Sequence, residues 1–278
     1  MFSDKIKASV FILTKNNADT IDRTLKSVED FNDIVICDGG SVDNTLEIAK
    51  KYNVRINKQP KECKDKQDNL FDYSCARNDC MNKVKYDFIF YLDSDETISR
   101  GLVEDIRKET LEEKEGNIIY KVPVCLYVGN KKILFSSNYP GYQNRFFCKK
   151  SGAYFIKPVH EKLHFKKDGL KIKILQNPWN VYIKNSSMFE YIKNNIKYIK
   201  IQAQSATSKS IAHIFRVQII GNFIIFLKII FKTFKNTILH GFGDDVMPIG
   251  IELGRAMIPI ILMVFVILYK TKNLMKSQ

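Results

Sequence analysis

Three short apolar runs, each followed at once by polar residues, constrain the fold of this chain most. The runs are ASVFILT (8–14), IVIC (34–37) and FIFYL (88–92), and the segments between them carry apolar residues at helical spacing, such as Ile21 and Leu25. Continuous apolar runs are typical of strands buried on both faces, and their alternation with helices is typical of a parallel sheet. The sequence therefore predicts an α/β fold.

The polar residues after these runs are the first candidates for a site. They are 14–17 (TKNN), 38–41 (DGGS) and 93–96 (DSDE). In parallel α/β sheets the ligand lies beyond the carboxyl ends of the strands, so the three groups are expected on one rim. Together they offer hydrogen-bonding groups, a glycine turn that admits a ligand close to the backbone, and carboxylates. That combination suits a nucleoside diphosphate.

Asp93 and Asp95 are the candidate metal ligands. At spacing i, i+2 in extended chain the two side chains point the same way, and their hard oxygens suit Mg²⁺ or Mn²⁺. A cation there would neutralise the charge that grows on a nucleoside diphosphate as a sugar–phosphate bond breaks. The alternative interpretation is a solvated acidic turn that caps the helix beginning near Ser99.

Two common nucleotide-binding signatures are absent from the sequence. There is no G-x-G-x-x-G after the first strand, and no G-x-x-x-x-G-K-[ST] occurs anywhere. Oxidoreductases that use a dinucleotide and kinases of the phosphate-loop type are therefore disfavoured.

Four motifs in order carry a family resemblance: ASVFILTKNN, IVICDGGSVDNT, CARN (75–78) and FIFYLDSDE. The chain resembles family 2 glycosyltransferases with the GT-A fold. The later pieces RFF, VHE and GFGDDVMPIGIELGRAMI resemble the branch of bacterial lipopolysaccharide-core glucosyltransferases. This resemblance implies a mostly parallel nucleotide-binding sheet flanked by helices, a metal-dependent and inverting hexosyltransferase, a UDP-hexose donor with glucose as the sugar, and a lipopolysaccharide-core or related cell-surface glycan as acceptor.

The resemblance also implies roles for single residues on the donor side. Asp38 would contact the base or ribose, Arg77 would lie near the nucleotide, and Asp93 with Asp95 would form the metal-binding D-x-D, with Asp95 as the direct ligand. For Arg77, an exposed helix residue paired with a nearby acid is the alternative.

Two polar residues after the first strand carry a weaker expectation. In the resembling family, the loop that contains Thr14 and Asn16 lies against the nucleoside. A helix N-cap and a turn are the alternative roles of these two residues, and the sequence does not separate the two interpretations.

The position that matches the general base of the family is Glu161. An unpaired Glu is ionised near neutrality, as a base must be, and His160 could orient it or share the role. The alternative is a polar pair in a Lys-rich loop. His164 reads as a surface residue.

The second half of the chain is strongly basic. From 140 to 278 there are 22 Lys and Arg against 6 Asp and Glu, whereas 1–139 has 22 against 24. The run 211–235 has a basic and an apolar face at helical spacing, and 256–269 lacks charge but is shorter than the ~20 residues that span a bilayer. We expect a C-terminal amphipathic helical region that lies on an anionic membrane, with packing on the catalytic domain as the alternative.

These patterns predict a domain organisation and a location. The GT-A catalytic domain is expected over 1–185, with a nucleotide-sugar-binding half (1–100) and an acceptor-side half (101–185), followed by a membrane-associating helical region (186–278). The six cysteines form no C-x-x-C pair, which favours a reducing setting. The predicted location is cytoplasmic, peripheral on the inner face of the plasma membrane.

Two other functions compete with the main prediction. One is transfer to a polyprenyl phosphate, disfavoured at this stage because the sequence shows no clear spanning helix. The other is a non-catalytic protein that binds nucleic acid or a membrane through its basic half. A polyanion-binding protein has no need for carboxylates at the mouth of its pocket, so no nucleic-acid partner is expected.

Overall fold

The structure is a computed structural model that describes residues 4–113, 115–184 and 187–276, without the side chains of 273, 274 and 276. Strands β1 to β12 are Ile6–Thr14, Phe31–Asp38, Arg55–Lys58, Phe88–Asp93, Thr97–Ile98, Ile118–Val128, Lys131–Ile133, Tyr142–Cys148, Ala153–Ile156, Lys162–Phe165, Lys171–Ile174 and Trp179–Ile183. Helices α1 to α8 are Ile21–Ser27, Thr45–Ala49, Tyr73–Asn82, Arg100–Glu112, Met188–Ala206, Ile211–His213, Asn222–His240 and Ile249–Lys276, and a π-helical segment, Ile214–Gly221, joins α6 to α7. The predicted α/β class is confirmed.

The first half of the chain builds a parallel sheet in the order β3-β2-β1-β4. Its central strands are apolar throughout because both faces are covered. Alternate residues of β1 enter two different clusters: Val10 and Ile12 pack with Ile21 and Leu25 of α1, whereas Phe11 packs with residues of α3 on the other face. The apolar runs thus form the strands that the sequence predicts.

Beyond β4 the sheet becomes antiparallel. Strand β8 pairs with β4 on one side and with β6 on the other, and β6 turns at Gly129 into a hairpin with β7. The last strand of the sheet region, β12, begins at Trp179 and pairs with β5. A strand this short has no local signature, because its partner lies about eighty residues earlier in the chain.

The chain divides into two compact units. The first contains Met1–Cys125 and Pro140–Val181, and the second contains Leu126–Tyr139 and Tyr182–Gln278. The second unit is built on α5, α7 and α8, whose core includes Ile199, Ala203, Leu262 and Val266.

The two C-terminal helical stretches are longer than the sequence analysis expected. Residues 211–240 are continuously helical and the apolar part of α8 covers 249–272, so both are long and apolar enough to cross a membrane, by length and composition alone. The argument that 256–269 is too short to span is therefore wrong, because the apolar part of the helix that contains it is longer. Most of the first stretch is exposed, including Phe231 and Phe234.

Four of the six cysteines are paired, contrary to the expectation from their spacing. Cys37 of β2 is bonded to Cys80 of α3, and Cys63 is bonded to Cys75. Both bonds link α3 to other parts of the first unit: one to β2 and one to Cys63. Since disulfides persist mainly in oxidising compartments, the cysteines no longer support a reducing location.

Candidate active site

The register of the parallel strands places three polar residues side by side. Thr14 at the end of β1 lies opposite Asp38 of β2, and Leu13 of β1 lies opposite Asp93 of β4. Neighbouring strands are about 4.8 Å apart, so Asp38 and Asp93 are roughly 10 Å apart across the carboxyl edge of the sheet. The three polar groups predicted to share one rim are therefore neighbours.

Side chains of the loop after β1 connect the three loops. The backbone N–H of Asn16 donates to Ser41 Oγ (2.9 Å), and Asn16 Oδ1 accepts from the backbone of Val42 (2.8 Å). Asn17 Oδ1 accepts from Ser94 Oγ at 2.8 Å and from Thr14 Oγ1 at 3.3 Å. With a φ of 54°, Asn16 is in the left-handed region that Asn tolerates. Asn16 thus takes the turn role that was its alternative, whereas Thr14 ends β1 and the N-cap position of α1 is Thr20. Contact of Thr14 and Asn16 with a nucleoside stays a prediction.

Asp38 closes the glycine turn that follows β2. Its carboxylate accepts from the backbone N–H of Gly40 (2.9 Å) and from both the backbone and the hydroxyl of Ser41, the hydroxyl at 2.6 Å. Gly40 has a φ of 92°, a conformation that residues with a Cβ rarely adopt. Asp38 is buried, so the carboxylate shapes the rim, and its contact with a base or ribose stays a prediction.

Residues 93–96 form a turn whose two ends are joined by two hydrogen bonds. The backbone N–H of Glu96 donates to the Asp93 carbonyl (3.1 Å), and the backbone N–H of Asp93 donates to Glu96 Oε2 (3.0 Å). Helix α1 supports this turn from below: Thr24 Oγ1 lies within hydrogen-bonding distance of the Ser94 and Glu96 carbonyls, and Arg23 Nη2 donates to the Asp95 carbonyl. The carboxylates of Asp93 and Asp95 are consequently carried on a fixed backbone.

Arg77 of α3 bridges two of the predicted site carboxylates. Its Nη2 donates to Asp93 Oδ1 at 2.7 Å, and its Nε donates to Glu161 Oε1. The guanidinium also lies 5.1 Å from the centre of the Tyr91 ring. Arg77 is only 5% exposed, which excludes the alternative of an exposed helix residue.

The charged forms of Arg77 and Asp93 stabilise each other. Desolvation opposes the charge on each group, but attraction to Arg77 holds the pKa of Asp93 below its usual value. Attraction to Asp93 and Glu161 in turn raises the pKa of Arg77 above its usual value. Arg77 and Asp93 therefore form an ion pair at the rim.

The side chains of Glu161 and His160 differ in exposure and in their partners. The Glu161 side chain is 15% exposed and is held by Arg77, 84 positions earlier in the chain. His160 is exposed, with a φ of 50°. Within the described part of the chain the partner of the Glu161 carboxylate is Arg77 rather than His160. Arg77 thus joins Glu161 to Asp93, whereas no hydrogen bond or ion pair among the described residues joins His160 to Glu161.

The donor set of Asp93 and Asp95 fits Mg²⁺ or Mn²⁺ bound together with phosphate. Among the residues that the structure describes, no group of three His, Cys, Asp or Glu side chains is arranged to hold a metal. Mg²⁺ is commonly held by one or two carboxylates plus the phosphates of its substrate rather than by an all-protein cage. The Asp93 side chain is 41% exposed, so a ligand can reach it.

Two buried residues beneath the turn, Arg145 and Trp179, were missed as parts of the site, and both bind Glu96 of the predicted 93–96 group. Arg145 of β8 donates to both oxygens of Glu96, from Nη1 at 2.8 Å and from Nη2 at 3.0 Å, and Trp179 Nε1 donates to Glu96 Oε1 at 3.2 Å. Burial raises the pKa of Glu96 to about 7 in spite of Arg145. An arginine inside the apolar run RFFC is the one sequence signal that pointed to a buried ion pair.

The amino-acid sequence was compared with family models and with known proteins. The model of the family described as Glycosyl transferase family 2 matches residues 9–171, more than half of the chain. The chain is 31% identical over 127 residues to the poly(ribitol-phosphate) beta-N-acetylglucosaminyltransferase TarP of Staphylococcus aureus, covering 42% of this chain and 37% of TarP. It is 27% identical over 143 residues to the cholesterol galactosyltransferase of Borreliella burgdorferi, covering 49% and 39%.

Other similarities cover different shares of the chain. An uncharacterized glycosyltransferase of Rickettsia bellii is 31% identical over 101 residues, 36% of this chain and 31% of its own length. The matched segments thus span between about a third and two fifths of these curated relatives. Among solved structures, S. aureus TarS 1-349 in complex with UDP-GlcNAc aligns with 92% of this chain and 91% of its own, at 14% identity and a TM-score of 0.46.

Proposed function

Because this chain belongs to glycosyl transferase family 2, we propose that it transfers a hexose from a nucleotide-sugar donor to a glycan or glycolipid acceptor, with inversion at the anomeric carbon. The observation that carries the proposal is the juxtaposition of Asp93 with Asp38 and Thr14 at the carboxyl edge of the sheet, with Glu161 joined to Asp93 through Arg77. A donor site and a candidate base are therefore adjacent.

Asp93 and Asp95 would hold Mn²⁺ or Mg²⁺ together with the diphosphate of the donor. The cation would neutralise the negative charge that the nucleoside diphosphate acquires as it leaves. The chain's own part is to keep both carboxylates on one rigid turn, which the bonds from Arg23 and Thr24 support.

Glu161 is proposed as the general base. It would take the proton from the acceptor hydroxyl as that oxygen bonds to the anomeric carbon and the carbon–oxygen bond to the diphosphate breaks on the opposite face. Arg77 binds Glu161 Oε1, which orients the carboxylate. His160 is the weaker candidate for this role because its side chain is exposed.

The finer identities rest on the resemblance seen in the sequence. We propose a UDP-hexose, with glucose as the sugar, and a lipopolysaccharide-core or related cell-surface glycan as acceptor. A polyprenyl phosphate is the second candidate acceptor, because two helices of spanning length remove the reason for setting it aside.

We also propose that the second unit binds an anionic membrane on the cytoplasmic side. The stretch 211–240 exposes large apolar side chains, whereas two of its buried residues, Asn222 and Thr233, are polar. In a helix that packs on the core of a soluble protein, the apolar side chains are buried and the polar ones are exposed, which is the opposite pattern. Lys228, Lys232 and Lys235 are exposed on the same helix and suit anionic headgroups.

The proposed activity is tested by incubating the full chain with Mn²⁺ and each of four radiolabelled donors: UDP-glucose, GDP-mannose, ADP-glucose and CMP-sialic acid. Lipopolysaccharide truncated in the core and undecaprenyl phosphate serve as acceptors in separate vesicle preparations. Label from UDP-glucose is expected in the lipopolysaccharide and not with Asp95→Ala. Label in undecaprenyl phosphate alone would establish the second acceptor, and no label with any donor would contradict the proposal.

A further inference from the structure

A buried carboxylate lies directly beneath the two candidate metal ligands without being one of them. Glu96 is 6% exposed, and its two oxygens accept four hydrogen bonds, two from Arg145, one from Trp179 and one from the Asp93 backbone. A carboxylate of which both oxygens are engaged in this way has no lone pair directed at the rim. The acid that ends the DSDE sequence therefore has a different task from Asp93 and Asp95.

The partner of Glu96 is fixed as firmly as Glu96 itself. The Arg145 guanidinium lies 4.6 Å from the centre of the Tyr91 ring and 4.7 Å from that of Trp179, and its Nε donates to Gln143. Bidentate pairing with a carboxylate defines the orientation of both groups. Glu96 consequently has one position in the folded chain.

The orientation of Glu96 is transmitted to the turn above it. Its Oε2 accepts from the Asp93 backbone N–H, and its own N–H donates to the Asp93 carbonyl, so the two ends of the turn are joined through one residue. The Cα positions of Asp93 and Asp95, and hence the spacing of their carboxylates, follow from this closure. An error of about 1 Å in such a constellation is enough to impair a site.

We infer that Glu96 and Arg145 are positioning residues that hold the turn 93–96 in the geometry in which Asp93 and Asp95 bind a divalent cation with a nucleoside diphosphate. This inference rests on the proposed function. It adds that Arg145 of β8 and Trp179 of β12 set the affinity of a cation held at the end of β4, through their bonds to Glu96.

The inference is tested by electron paramagnetic resonance of Mn²⁺ titrated into the full chain in the presence of UDP. The variants are Glu96→Gln and Arg145→Lys, which break the bidentate pair, and Trp179→Phe, which removes one donor and keeps the aromatic packing. We expect Mn²⁺ affinity to fall at least about tenfold in the first two and about threefold in the third. In turnover assays kcat should fall while KM for UDP-glucose rises.

The matched control is Arg55→Lys. Arg55 makes the same kind of pair with buried Asp33, with contacts of 2.8 and 3.1 Å from Nη2, but Asp33 lies near the start of β2, away from the rim. This variant should lower the melting temperature and leave Mn²⁺ affinity within about twofold of the parent.

The outcomes separate the inference from the function it rests on. If the parent binds Mn²⁺ and folded Glu96→Gln and Trp179→Phe bind it equally well, Glu96 is merely structural and the inference is overturned. If the parent itself binds no Mn²⁺ with UDP present, the proposed metal site is wrong, and the inference falls with it.

Discussion

At the scale of residues, the decisive contact is the bridge that Arg77 makes between Asp93 and Glu161. The three residues belong to three separate sequence motifs, and the fold brings both carboxylates into contact with the guanidinium of Arg77. Arg77 thereby couples the proposed metal site to the proposed base. Its contact with a nucleotide, implied by the resemblance, stays a prediction.

Replacing the proposed base separates binding from chemistry. Glu161→Gln keeps the shape of the side chain but cannot accept a proton, so kcat should fall at least about 100-fold while donor affinity stays within about threefold of the parent. Steady-state kinetics and calorimetry with UDP measure the two effects. Glu62→Gln, an exposed glutamate of the same unit, serves as control. Unchanged turnover would assign the base to another residue.

How much of the site is predictable depends on the sequence distance between its members. Asp93 and Asp95 were predicted because a buried strand and the acids after it are adjacent in sequence. The Glu96–Arg145 pair spans 49 positions, and the Cys37–Cys80 bond spans 43. The residues around Glu96 or Cys37 in the sequence do not indicate which distant residue will be its partner in the fold.

At the scale of elements, α1 supports the turn 93–96 as much as it fills the core. The hydroxyl of Thr24 lies 3.0 Å from the Ser94 carbonyl and 2.8 Å from that of Glu96, and Thr20 Oγ1 donates to the Ser94 carbonyl at 2.8 Å. Apolar periodicity predicted the buried face of this helix. It does not predict that Thr24 on that face, and Thr20 just before the helix, bind a loop.

Removal of one of these hydroxyls should destabilise the turn. Thr24→Val keeps the volume but leaves buried carbonyls without that donor, so unfolding free energy should fall by about 1–3 kcal/mol. Thr110→Val is the control, since the Thr110 hydroxyl contacts only carbonyls of its own helix α4. Urea unfolding compares the two variants, and equal losses would show that the contact with the turn adds nothing.

At the scale of the whole molecule, the basic second half and the exposed apolar helix point to the same partner. Phe231 and Phe234 are 66% and 65% exposed, next to lysines at 228, 232 and 235. Sequence periodicity predicted an apolar and a basic face over 211–235, and the helix continues beyond that run to His240.

A vesicle flotation assay tests this surface. The full chain should float with phosphatidylglycerol vesicles and bind phosphatidylcholine vesicles weakly, and Phe231→Glu with Phe234→Glu should weaken binding at least about tenfold, since both place charge on the apolar face. Leu111→Glu changes an equally exposed apolar residue on α4 and should bind like the parent. Equal flotation of the double variant would remove this helix from the interface.

The central claim is that a divalent cation on Asp93 and Asp95 joins the chain to the diphosphate of its donor. Isothermal titration of UDP, GDP, CDP and ADP, with and without Mn²⁺, measures this for the parent, for Asp95→Ala, and for Asp168→Ala, an exposed acid outside the rim. We expect UDP to bind the parent and Asp168→Ala in the presence of Mn²⁺, with binding at least about tenfold weaker without the metal or with Asp95→Ala. UDP binding of equal strength with and without Mn²⁺, and equally in Asp95→Ala, would contradict the claim.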